Sequence, residues 1–419
     1  MPSLAPTAPN AATAPTAPTA PTAPNAPTAP VVLATLDPAV QPTARQAPRR
    51  FPALRHVGPN WYASVMGTAI VASAGAALPW APSLAPASRA FCATVWALSA
   101  LMLLLVLAAR AGHWIHHRDQ ARAQLLDPAA APFYGCLAMA LLAVGGATLT
   151  VGRHVIGARA AVAVDAVLFT AGTLAGLAAA VGIPYLMVVR HRIRAADASP
   201  VWLLPVVAPM VSAALGPALI PYLPAGQWRG TLLLGCYAMF GLSLLATLTL
   251  LPLIFGRLVL LGPLPVALTP ALFLVLGPLG QSTTAVGHLA EAAPGALGSS
   301  SPYLSALDAF ALLYGVPVLG FALLWLALAV AMVVRGARRG MPFSMTWWAF
   351  TFPVGTCVTG AAGLGSTTGP AALTWLAFAL FALLTAAWAV AWTRTVHGLV
   401  SGVLPAAPPA PGPATARTR

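Results

Sequence analysis

Residues 90–122, AFCATVWALSALMLLLVLAARAGHWIHHRDQAR, decide how the rest of the chain is read. The run 90–109 contains no charged side chain, and Arg110, Arg118 and Arg122 follow it closely. An apolar run of about 20 residues crosses a ~30 Å hydrocarbon core as a helix. Lipid offers the backbone no hydrogen-bond partner, so the segment must satisfy itself.

The same unit recurs along the chain. Ten apolar runs are long enough to span: 60–80, 90–109, 132–152, 160–188, 201–221, 231–255, 259–288, 304–334, 345–364 and 371–392. Of the 419 residues, 59% are hydrophobic and 7% charged, and mean hydropathy is +0.84. A soluble domain carries about 25% charged residues. The net charge of +14 does not point to nucleic acid, because the basic residues are dispersed with no basic face or interleaved aromatics.

All 21 basic residues are arginines, and they alternate between the two sides that ten spans define. With the N-terminus inside, the inner side holds Arg45, Arg49, Arg50, Arg55, Arg110, Arg118, Arg122, Arg190, Arg192 and Arg194. It also holds Arg257, Arg335, Arg338, Arg339, Arg394, Arg417 and Arg419. Only Arg89, Arg153, Arg159 and Arg229 fall outside, so the division is seventeen against four. Arginine-rich short loops stay cytoplasmic. The expectation is a multi-pass protein of the cell (inner or plasma) membrane with both termini cytoplasmic. Residues 1–50 repeat Pro, Thr and Ala and read as a disordered cytoplasmic tail; 51–400 form the membrane domain; 401–419 form a second disordered tail.

Helix breakers are unevenly shared. The fifth run holds Pro205, Pro209, Gly216 and Pro217, the seventh Pro263, Pro265, Pro270, Gly277 and Pro278, and the ninth Pro353 and Gly355. The first and third hold Gly67, Gly75, Gly145 and Gly146, whereas the second and tenth hold no glycine or proline. Freed backbone groups are tolerated where protein or a wet cavity satisfies them. Odd runs should therefore line a central path and even runs face lipid. The fold class expected is an all-α membrane protein: ten transmembrane helices as five helical hairpins around a central pore. The eighth run, with Gly315 and Pro317, is the exception.

Three stretches carry a resemblance. They are Thr346-Trp347-Trp348-Ala349-Phe350-Thr351-Phe352-Pro353-Val354-Gly355-Thr356, Gly277-Pro278-Leu279-Gly280-Gln281-Ser282-Thr283-Thr284, and Pro59-Asn60-Trp61-Tyr62 with Val65-Met66-Gly67-Thr68-Ala69. Together they resemble the tellurite-resistance/dicarboxylate transporter family over about residues 51–400. That family includes malic acid transporters, fungal sulfite exporters and plant slow anion channels. The resemblance implies a homotrimer with one pore per protomer and a small inorganic or organic anion as cargo. It also implies a phenylalanine plug on the ninth helix, at the position of Phe352. The alternative for Phe352 is an aromatic that only packs.

The odd runs carry no charge in their central stretches. Hydroxyl donors from Thr68, Thr283, Thr351, Thr356 and Thr359 would replace part of an anion's hydration shell. The alternative for each is a bond to its own helix. Gln281 would bond either an anion or a freed carbonyl. Asp165 is a candidate relay, or else the partner of Arg153 or Arg159 at the interface. Glu291 and Asp308 sit near outer helix ends and should face water. His113, His116 and His117 read as a solvated extension of the second helix, against a pH-sensitive patch.

No cofactor, metal site or catalytic group is expected. Cys92, Cys136, Cys236 and Cys357 lack metal-ligand spacing and read as small buried hydrophobes. Two rival functions remain at this level: a proton-coupled exporter of a larger solute, and a membrane enzyme acting on lipid phosphates. The scarcity of buried carboxylates and of acidic pairs weighs against both.

Overall fold

Broken and unbroken helices alternate along the chain. The computed structural model describes residues 57–401, and both expected tails, apart from Ser401, lie outside them. So do Arg45, Arg49, Arg50, Arg55, Arg417 and Arg419. The described residues form helices and turns, with no strand among them.

Five helices are long and continuous: α2 (Ala85–His116), α6 (Ala158–Val189), α8 (Gln227–Leu261), α10 (Leu304–Ala337) and α12 (Ala371–Val400). They run to between 30 and 35 residues. Pro184, Pro252 and Pro317 lie inside three of them without ending the helix.

The intervening segments change helical type part-way. A 3-10 turn, Pro59–Trp61, leads into α1 (Tyr62–Ala76), and a π-segment, Thr148–Gly152, ends α4 (Gly135–Ala147). A 3-10 stretch, Gly216–Tyr222, ends α7 (Leu203–Leu215). Two more, Val266–Val275 and Met345–Phe350, precede α9 (Leu276–Leu297) and α11 (Phe352–Thr368). Prolines explain the placement. Pro217 lies in the first turn of its 3-10 stretch, and Pro353 sits in the first turn of α11, where its missing N–H costs nothing. Two short helices, α3 (Arg118–Leu126) and α5 (Arg153–Ile156), complete the set.

Eight helical segments are long and apolar enough to cross a membrane, and α1 and α11, at 15 and 17 residues, are shorter. The seventh expected span, 259–288, is displaced. Residues 259–261 finish α8, a turn and the 3-10 stretch follow, and α9 runs on to Leu297. The unbroken apolar composition around residue 260 hid that boundary. Gly262, at φ 80°, marks it, because only glycine adopts that backbone freely.

The broken segments are inside. In the α4 and α7 regions 89% of residues are buried, against 11% in α8. Helices α1, α4, α7, α9 and α11 contact one another in a closed cycle, each also packing on the long helix that follows it. Gly67 and Gly280 permit this closeness. A Cβ on Gly280 would lie 2.6 Å from the backbone nitrogen of Cys357, and one on Gly67 would meet Thr351 and the Trp348 ring.

Donors from the long helices serve the interrupted ones. Trp325 of α10 donates to the Leu272 carbonyl at 2.9 Å, inside the 3-10 stretch before α9. Trp96 of α2 donates to Thr148 Oγ1 at 2.9 Å, at the π-segment, and Trp388 of α12 to Thr68 Oγ1 at 3.2 Å. Arg110 of α2 is buried, donating to the Val57 carbonyl at 2.7 Å, Gln124 Oε1 at 3.0 Å and Tyr134 Oη at 3.2 Å. It ties the segment entering α1 to α3 and the start of α4. Arg194 and Asp197 form the one ion pair among the described residues, in an exposed turn. The hydrogen bond from Arg194 holds the Asp197 carboxyl below its ordinary value.

Candidate functional site

The five interrupted segments border two cavities of unequal size. Their C-terminal halves, together with Asp308, Ala311 and Leu312 of α10, border an open cavity of about 970 Å³. Their N-terminal halves leave a void of only about 10 Å³, packed by Met66, Phe133, Leu204, Leu274 and Ala349 among others. Phe352 borders the large cavity and is 3% exposed. It is the first residue of α11, fixed between the Thr351 break and Pro353.

Of the expected path residues, Gly146, Gln281, Thr283 and Phe352 border the cavity, as does Thr359. Gly67, Thr68, Gly145, Gly216, Pro217, Gly277, Pro278, Thr351, Pro353 and Thr356 do not. Several of these serve the breaks or the packing instead. A Cβ on Gly145 would meet Asp165 Oδ1 at 2.6 Å, and one on Gly216 would meet Cys236 Sγ and Phe169, so both face the outer helices.

The threonine donors are committed to the backbone. Thr68 donates to Ser64 at 2.8 Å, Thr283 to Leu279 at 3.0 Å, Thr351 to Trp348 at 2.7 Å and Thr356 to Pro353 at 2.7 Å. Thr359 donates to Thr356 at 3.0 Å. Each hydroxyl thus makes the local carbonyl bond that stood as the alternative to solvating an anion.

Asp165 is buried on α6, against Gly145, and pairs with neither Arg153 nor Arg159. The interface pairing is overturned, because the carboxyl points into the α4–α6 contact rather than toward the helix end. The histidine reading is also corrected. Helix α2 does extend through His116, but His113 is fully buried and His117 is 6% exposed. The α3 helix, which the polar composition of the linker disguised, folds back there. All four cysteines are buried and free, as their apolar context implied.

Glu291 and Asp308 are exposed, and with Arg153 they border the large cavity. Sequence reasoning missed His288 altogether. It lies in α9 on the cavity wall, with Nδ1 2.8 Å from the Ala214 carbonyl. The signal was its spacing, seven residues after Gln281, which places both on one face of a helix.

Residues 56–396 match the SLAC1 family, described as voltage-dependent anion channel. An uncharacterized transporter of Methanocaldococcus jannaschii is 25% identical over 350 residues, spanning 83% of this chain and 95% of the relative. The sulfite efflux pump SSU1 of Trichophyton rubrum is 26% identical over 351 residues, spanning 82% of this chain and 91% of the relative. SSU1 of Arthroderma otae is 25% identical over 352 residues, spanning 82% and 91%. These relatives are transporters, not enzymes, and a chain with this many apolar helices is a multi-pass membrane protein. The central cavity thus belongs to a membrane transport protein, and the chain is a member of the SLAC1 voltage-dependent anion channel family.

Proposed function

We propose that the chain moves a small anion along the axis of the five interrupted helices, with Phe352 as the plug. The observation that carries this reading is the place of Phe352, buried at the break that opens α11 and bordering the cavity of about 970 Å³. Hydrophobic constrictions gate by excluding water, and one aromatic side chain is enough to do so in a narrow path. Helix α11 starts at this residue, so the positive end of its dipole lies at the constriction, where it favours an anion.

Ten crossings as five hairpins fit this role. The 15 α residues and three 3-10 residues of the first segment reach about 28 Å, close to the ~30 Å core. With both termini cytoplasmic, Arg110, Arg190, Arg257, Arg335 and Arg394 fall on the cytoplasmic side. The large cavity then opens outward, in the cell (inner or plasma) membrane. Three copies, each with its own path, make the assembly that the resemblance implies. Sulfite is the first cargo to test, because fungal relatives are sulfite efflux pumps. A C4-dicarboxylate such as malate is the second.

The test is flux of sulfite, malate and chloride into proteoliposomes, with and without a proton gradient. Phe352→Ala should raise flux of the preferred anion by about tenfold or more, since a barrier lowered by about 1.4 kcal/mol already gives that factor. Equal flux in wild type and variant would remove Phe352 as the plug.

A further inference from the structure

One face of α9 carries more chemistry than a neutral path requires. Gln281, Thr284, His288 and Glu291 stand at i, i+3, i+7 and i+10 and all border the large cavity. Gln281 is 3% exposed, and its Oε1 has no hydrogen-bond partner. A buried amide left unpaired is costly unless something in the cavity completes it. A half-turn of the amide presents either its N–H donors or its oxygen to that occupant.

His288 is held in one orientation. Its Nδ1 lies 2.8 Å from the Ala214 carbonyl, next to the α-to-3-10 switch where Pro217 has no N–H to give. A carbonyl only accepts, so Nδ1 carries the proton, and Nε2 is the nitrogen left for the cavity.

Among the described residues, the other charged groups on the cavity wall are Arg153, Glu291 and Asp308. That is one positive charge against two negative. With neutral His288 the cavity carries a net charge of −1, and with an imidazolium it is balanced. The surrounding elements do not alter this count. From α10 come Asp308 and Tyr314, and from α8 Tyr237 and Arg229, the latter donating to the Leu223, Pro221 and Gly295 carbonyls. The 3-10 stretch after α7 brings Tyr222, and α11 brings only the buried Cys357. Helices α1, α4 and α7 present no titratable side chain to the cavity.

We propose that Gln281 and His288 form the anion-recognition subsite of this cavity. The ligand is a small oxyanion, held by the Gln281 amide and by His288 when Nε2 takes up a proton. The inference rests on the central path carrying anions. Its signature is uptake that rises as pH falls through the range in which an imidazole gains charge.

The experiment measures flux of nitrate, whose charge stays fixed, and of sulfite, at equal pH on both membrane faces between about 5.5 and 8. It is run in wild type and in Phe352→Ala, each with and without His288→Gln or His288→Asn. Asn keeps a donor near the Ala214 carbonyl, and both replacements stay neutral. Nitrate flux should fall roughly tenfold from the low to the high pH when His288 is present. It should be flat, at the high-pH level, in either His288 variant, while Gln281→Leu should lower it at every pH without flattening it. Nitrate should also raise the thermal unfolding midpoint at pH 5.5 in the protein with His288 and not in the variants. The same pH profile with and without His288 would overturn the subsite and leave the anion path standing. No anion flux in wild type or in Phe352→Ala would overturn the path, and the subsite with it.

Discussion

The inner and outer helices of this protein are both built from apolar sequence, yet they differ in continuity. The outer helices α2, α6, α8, α10 and α12 run unbroken for at least 30 residues, even across Pro184, Pro252 and Pro317. The inner ones switch helical type within a single crossing. A proline inside a helix is therefore not by itself enough to break it here. What differs is the supply of alternative partners. An inner carbonyl that loses its helical N–H finds an indole, a hydroxyl or an imidazole on a neighbour, as Leu272 finds Trp325 and Ala214 finds His288. A carbonyl facing lipid has no such partner, so the outer helices stay closed on themselves.

That contrast can be tested by substitution, beginning where the effect is greatest. Gly280→Leu forces a side chain into the Thr356–Cys357 backbone of α11. It should destabilise the protein by about 3 kcal/mol or more, read as a lost or strongly lowered unfolding midpoint in detergent. A folded, active Gly280→Leu protein would mean that the inner cycle is looser than its contacts indicate.

Trp325→Phe keeps the ring but removes the donor to Leu272. The orphaned carbonyl should cost about 1–3 kcal/mol, visible in the same melting experiment and as faster amide exchange around the 3-10 stretch before α9. Unchanged exchange would show that another group serves that carbonyl. Leu245→Ala, on the 66% exposed face of α8, should change stability by no more than about 0.5 kcal/mol. A larger loss in the assembled protein would place that face against protein instead of lipid.

Much of the architecture was legible. The apolar runs located the helices, and the Pro and Gly bias separated interrupted from continuous ones before any contact was known. The pattern failed where it lacked contrast. Near residue 260 the hydropathy never drops, so the end of α8 was invisible and the seventh span was misplaced. Phe352 and Gln281, which border the cavity, stood out in the sequence through their motifs. His288 did not, because a single histidine in an apolar stretch looks the same whether it packs or faces a cavity. For the threonines, hydroxyl composition left two readings open, and only the structure gives each proton a nearby backbone carbonyl.

By itself, the sequence determined that this chain lives in a membrane, that it is built from many apolar helices, and that some of these are interrupted. Those properties depend on transfer of apolar surface and on local backbone chemistry, and both are encoded within one segment. Only the tertiary structure decided that the interrupted segments close into one cycle, that Phe352 borders a cavity there, and that His288 and Gln281 share its wall. Each of these depends on which atoms of distant segments meet, and no single stretch of the chain specifies that.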